Sequence, residues 1–212
     1  MRGVIILLFL SMALQADSFF SKISPIDSTI KARMIKGNSY HSGCPVEPKD
    51  LRYVEVSHYD FDGNCQIGKL IVHRGIAQET VDIFRDLFRM GYPIKQMKLV
   101  SDYHGSDFAS IEADNTSAFN CRFIEGTKKW SNHAYGKAID INPLENPYVD
   151  TNGKTVHKGS VCYLKRVHQS QASTDLAMLL PHDKATQAFK KRGWIWGGDW
   201  YSIKDYQHFE KR

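Results

Sequence analysis

His133, Asp140 and His208 are of the types, and lie in the kind of segments, that could hold a metal. A catalytic zinc takes three protein ligands from histidine and carboxylate and keeps a fourth position open for water. His133 lies in a loop leading into a short predicted strand that carries Asp140, and His208 lies far along the chain at the start of a predicted terminal strand. Ligands on neighbouring strands, and on the loop feeding one of them, can converge while the sheet holds them rigid. Water on such a metal is acidified towards neutrality, and a nearby carboxylate can take its proton. Asp205, three residues before His208, is the candidate base. Arg122 is the candidate for polarising a scissile carbonyl or holding a substrate carboxylate.

The elements around these residues follow from hydropathy and turn chemistry. Residues 17–45 are polar and irregular and read as an N-terminal arm. Residues 51–59 and 66–73 are two β-type runs around Asp60-Phe61-Asp62-Gly63, a hairpin signal. Residues 76–90 gather Ile76, Val81, Ile83, Phe84, Leu87 and Phe88 mainly on one stripe, an amphipathic helix closed by Gly91 and Pro93. Residues 97–103 read as a strand and 104–118 as a long loop. Residues 137–142 read as a short strand ended by Pro143, 183–192 as a helix stopped by Gly193, and 206–210 as a last strand. Alternation in Ala138-Ile139-Asp140-Ile141 turns Asp140 away from the isoleucine face, towards a polar site. The economical architecture is one α+β domain over 46–212, a small antiparallel sheet flanked by helices.

A histidine and an aspartate seven residues apart recur by chance in many chains, so the fuller pattern matters. Ser131-x-His133-x-x-Gly136-x-Ala138-x-Asp140, followed near the C-terminus by an acidic-x-x-His element, resembles the D-alanyl-D-alanine carboxypeptidase family of zinc peptidases. The resemblance runs from about Cys44 to Arg212. Segments 115–122 and 196–200 look most like the L-alanyl-D-glutamate endopeptidase branch found in phage endolysins. It implies a hedgehog/DD-peptidase-like fold and one zinc per chain held by His133, Asp140 and His208. It further implies Asp205 as catalytic base, Arg122 as the arginine that stabilises charge on the substrate carbonyl, and peptidoglycan stem peptides as substrate. Trimming of a terminal D-Ala and cleavage of an L-Ala-D-Glu bond both remain open. The hedgehog comparison adds a further reading, a non-catalytic zinc-containing module that binds cell wall; Asp205 in register with His208 favours the enzyme.

Other residues carry two readings each. Ser131 either fixes a ligand or Arg122 through its hydroxyl or is a turn residue, and Gly136 permits a tight turn. Trp196 and Trp200 are either walls of a substrate cleft or core packing. Asp102 and Asp107, at the start of the long loop, are candidates for contacting peptide amines. His58, His73, His104, His157, His168 and His182 lack ligand spacing and read as surface or structural.

The bulk properties fit this picture. A chain of 212 residues with 42% hydrophobic content has ample material for a core. Its formal charge of +5 is spread along the sequence, without the basic stripe of a nucleic-acid binder. Arg2, an apolar run over 4–14 and Ala16 before Asp17 read as a secretory signal over residues 1–16, too short to span a bilayer comfortably. That predicts a periplasmic or extracellular protein with no stable membrane insertion after cleavage. The phage enzymes of the family typically lack such a signal, which points to a cellular wall-remodelling or secreted enzyme. Cys44, Cys65, Cys121 and Cys162 would then meet an oxidising compartment, either as bridges in any of three pairings or as buried thiols.

Overall fold

Strands β2 (Leu51–Tyr59) and β3 (Cys65–His73) form the hairpin around which the larger part of the chain packs. Its turn is fixed by Asp60, whose carboxylate accepts from the backbone N–H groups of Asp62 and Asn64 at 2.9 Å each. Val54, Val56, Leu70 and Val72 point to one face and join the main core, while Leu51, Tyr53 and Ile71 point to the other and join a second apolar cluster. Burial on both faces explains why these strands read as near-continuous apolar runs. The computed structural model describes residues 18–212; the expected signal segment, 1–16, lies outside the described residues.

In chain order the elements before the hairpin are β1 (Ser21–Pro25) and α1 (Ser28–Lys36). After it come α2 (Ala77–Arg89), β4 (Gln96–Met97), α3 (Asp107–Glu112), β5 (Asn115–Thr116), β6 (Ala138–Asp140) and β7 (Tyr148–Val149). The chain ends with α4 (Ser173–Leu176), α5 (Lys184–Lys190), β8 (Ile195–Trp196), β9 (Lys204–Asp205) and β10 (His208–Glu210). Helix α2 lays Val81, Ile83, Phe84 and Leu87 into the main core beneath the hairpin. A second antiparallel sheet has the order β6-β10-β8. Mixed helix and small antiparallel sheets make this an α+β fold, with β4 and β5 a single short parallel pair. Among the described residues no helix is long and apolar enough to cross a membrane.

The structure corrects three of the sequence expectations. Residues 17–45 are no irregular arm: β1 pairs antiparallel with β2, from Ser21 opposite Val56 to Pro25 opposite Arg52. Asp27 caps α1 by accepting from Ile30 N at 2.8 Å, and Met34 is wholly buried. The domain therefore begins before residue 46. Within 97–103 only Met97, the end of β4, is strand, and a 3₁₀ turn, Val100–Tyr103, follows, since Lys98 gives its backbone to the Asn115 side chain. The loop over 104–118 contains α3, started by Ser106, whose hydroxyl accepts from Ala109 N at 3.1 Å, and the buried β5.

Two further ties matter. Cys44 and Cys121 are bonded, 77 residues apart in sequence, whereas Cys65 and Cys162 are free and exposed. Behind β6 lies a buried polar cluster in which Asn142 and Asn146 bond Pro93 O, Ala177 O and Ile141 O. Asp114 and Glu145 sit in it, and burial, with the Asp114 charge beside it, pushes the Glu145 carboxyl up to about 9.

Reducing the Cys44–Cys121 bond should destabilise the fold by about 4 kcal/mol from loop entropy, visible as a lower urea midpoint with reductant than without it. A second expectation concerns pH. Because Glu145 keeps its proton in the fold and the unfolded chain releases it near 4.5, stability from this group is full below that value. It falls as pH rises towards about 9, by up to about 1.4 kcal/mol per pH unit. Glu145→Gln should flatten that alkaline decline in denaturant titrations between these limits; an unchanged slope would refute it.

Candidate metal centre

The site is assembled from one loop and two paired strands. Ser131 starts a 3₁₀ turn over Asn132–Tyr135, its hydroxyl accepting from His133 N at 3.3 Å. Gly136 closes the turn at φ +66°, where a Cβ would lie 2.7 Å from His73 N and 2.9 Å from Leu51. Only glycine meets both the positive φ and this close approach. The turn leads directly into β6, and β10 lies antiparallel on it with His208 opposite Asp140. Between them Ile139 and Phe209 point the other way and are fully buried, so the alternation of each strand sends Asp140 and His208 to the same face as His133.

The distances are those of a single cluster. Asp140 Oδ2 lies 3.1 Å from His133 Nε2 and Oδ1 lies 3.0 Å from His208 Nδ1. The two imidazole nitrogens are 3.2 Å apart, and all three residues are buried. The outer nitrogens determine the tautomers. His133 Nδ1 donates to Ala118 O at 2.5 Å, and His208 Nε2 donates to Glu210 Oε2 at 3.3 Å. Both inner nitrogens therefore converge on the same point beside a carboxylate, where a cation could replace the proton that otherwise bonds His208 to Asp140. Converging acceptors without a cation repel, so this donor set fits a metal ion, and two imidazoles with one carboxylate suit zinc.

Charge follows the same geometry. Burial alone would raise the Asp140 carboxyl, but His133 and His208 outweigh it and hold it well below the usual carboxylate range. Burial pushes the nearby Asp205 carboxyl up to about 6, with His208 opposing the shift and Asp140 adding to it. Gln207 Nε2 donates to Asp205 Oδ1 at 3.1 Å.

The remaining sequence candidates fall unequally. Trp200 holds its ring 5.4 Å from that of His208. Trp196 is 1% exposed, stacks on Phe209 and donates to Tyr206 O at 2.8 Å, so it is core and walls no cleft. The Arg122 guanidinium pairs with Asp107 at 2.8 Å and reaches Phe123 O, rather than the metal cluster; its backbone O accepts from Ser131 N. Asp102 is engaged by Arg33 at 2.7 Å, so neither it nor Asp107 offers a free carboxylate to peptide amines. His41, Cys44 and Cys121 also lie close together, but the two sulfurs are bonded to each other.

Glu210 and Asn132 were not singled out in the sequence. Glu210 Oε2 accepts from both His208 Nε2 and Asn132 Nδ2, the latter at 2.6 Å, which links the ligand loop to the ligand strand. The available signal was the spacing of two from His208 on a strand, which puts both side chains on one face.

Fold and site together describe an α+β chain with a candidate mononuclear metal centre of two histidines and one aspartate. Residues 125–211 match the model of a family described as D-alanyl-D-alanine carboxypeptidase. The matched segment contains His133, Asp140, Asp205 and His208 and stops short of Arg122. No solved structure matches the chain.

Glu210→Gln should weaken zinc binding by about 10- to 100-fold, measured by competition with a chelator, because the orienting carboxylate of His208 is lost. Unchanged affinity would remove Glu210 from the centre.

Proposed function

We propose that this protein is an exported zinc peptidase that hydrolyses peptide bonds in peptidoglycan stem peptides. The observation that carries the reading is the buried His133–Asp140–His208 cluster with the Asp205 carboxyl close by, all inside the segment that matches the D-alanyl-D-alanine carboxypeptidase family. A zinc ion held there would supply Lewis acidity, lowering the pKa of water and polarising a carbonyl. Asp205 takes the proton of the attacking water at its carboxyl and delivers it to the leaving amine. Gln207 holds one oxygen of that carboxyl through its side-chain amide, which keeps the base oriented. Trp200 flanks the ligand His208 and offers an aromatic surface to substrate. Arg122 is assigned to the substrate's developing negative charge, exchanging Asp107 for it. The formal positive charge of the chain agrees with an anionic wall polymer as partner, and the periplasm or the cell exterior is the compartment where such a substrate is met. Within this reading an endopeptidase cutting L-Ala-D-Glu and a carboxypeptidase removing D-Ala differ in product.

Purified protein with zinc should cleave defined muropeptides, with activity lost to chelator and restored by zinc, and mass spectrometry of the products identifies the bond. Asp205→Ala should retain zinc at wild-type stoichiometry and lose turnover by at least about 100-fold. Full turnover in that variant would overturn the base. Absence of cleavage by the zinc-loaded wild type would overturn the enzyme.

A further inference from the structure

Away from the metal centre, β3 has an edge that is only half covered. Ile71 O accepts from Phe119 N at 3.1 Å and His73 N donates to Gly136 O at 2.8 Å, both on the side away from β2. Backbone groups of alternate residues share a side in an antiparallel strand, so Ile67 and Lys69 turn their N–H and C=O groups the same way. Among the described residues those groups have no hydrogen-bond partner. A cleft of about 340 Å³ runs along this open half. Gln66, Ile67 and Lys69 line it from β3, and Gln96, Met97 and Lys98 line it from the facing chain.

The charges of the cleft do not balance. Arg33 is engaged by both oxygens of Asp102, and Asp60 is saturated by its own turn and by Gln66 Nε2 at 3.0 Å. Lys95 lies over the Phe61 ring at 5.4 Å, and no ion pair forms at Lys69, Lys95 or Lys98 among the described residues. Glu55, in register with Lys69 on β2, makes no ion pair with it. Three cations thus line the same open cleft as the row of unpaired amides, and both acids in the lining are already occupied.

We propose that this cleft binds an extended acidic peptide, which adds as a strand to the open half of β3 and sets its carboxylates against Lys69, Lys95 and Lys98. Strand addition supplies affinity through main-chain hydrogen bonds and specificity through alternate side chains, and the volume lies within the range of ligand sites. Lysines on strand edges also serve to repel unwanted pairing. The placement of the cations argues against that role here, because only Lys69 lies on the strand and Lys95 and Lys98 come to the cleft from a separate segment of the chain. The inference does not depend on the peptidase reading, since it concerns binding alone.

The test uses the full chain, isotope-labelled, titrated with a capped peptide of alternating glutamate and valine. The glutamine analogue and inorganic phosphate are the comparison probes. The expected result is a Kd below about 1 mM for the glutamate peptide and at least about ten-fold weaker binding of the glutamine analogue. The Ile67 and Lys69 amides should shift and gain exchange protection. Lys69→Gln with Lys98→Gln should weaken the glutamate peptide about ten-fold or more while leaving the melting curve in place. Equal binding of the two peptides would overturn the proposal. So would unmoved amides with phosphate displacing the peptide, which marks a simple anion site. Absence of binding, with the double variant self-associating in sedimentation, would show that the lysines only guard the edge.

Discussion

His208 lies across from Asp140 because β10 pairs antiparallel with β6, and the neighbouring pair, Phe209 opposite Ile139, fixes which face each residue takes. Phe209 stacks on Phe189 at 3.9 Å and packs near Trp196, deep in the main core. A slip of one residue would drive His208 into that core and expose Phe209, so the apolar contact enforces the register. The candidate ligands Asp140 and His208 are thus held by hydrophobic packing on the opposite side of the same two short strands. Everything else at the centre adjusts to that pairing.

The arrangement is demanding electrostatically. A carboxylate and two imidazoles are buried together with their acceptors converging, which is unfavourable unless a cation or protons lie among them. The fold offsets this with fixed outer partners, Ala118 O for His133 and Glu210 for His208. Asn132 binds Glu210 from the ligand loop, so loop and strand share one hydrogen-bonded unit. Gly136, bonded through its carbonyl to His73, ties the same loop to the hairpin. The site is preorganised from three directions.

The N-terminal segment contributes more than its composition suggests. β1 covers one edge of the hairpin, and the Cys44–Cys121 bond fastens the chain after α1 beside Arg122, next to the segment that supports His133. The other edge is covered at Ile71 and His73 by the loops flanking the metal centre and left open at Ile67 and Lys69. One strand therefore borders both the metal centre and the cleft, which couples the placement of the two without any shared side chain.

The sequence alone determined the features that depend on local pattern. The stripe of α2, the Asp60–Gly63 turn and the alternation about Asp140 were legible because they obey short-range periodicity, whereas residues 133, 140, 205 and 208 stood out as a set only through the resemblance of the full motif to a known family. Sequence patterning missed β1 and α1, whose signals are weak in a polar stretch and whose stability comes from a strand edge and a disulfide partner supplied by residues far along the chain. Trp196 and Trp200 look alike in sequence, yet one is core and the other lies beside His208, because strand alternation and the turn after Gly197 separate them. Arg122 has the right type for catalysis, but only the folded chain reveals Asp107 as its partner. Residue chemistry announces what a site can do; which of those residues meet is decided by long-range packing, where sheet register and buried contacts outweigh any local preference.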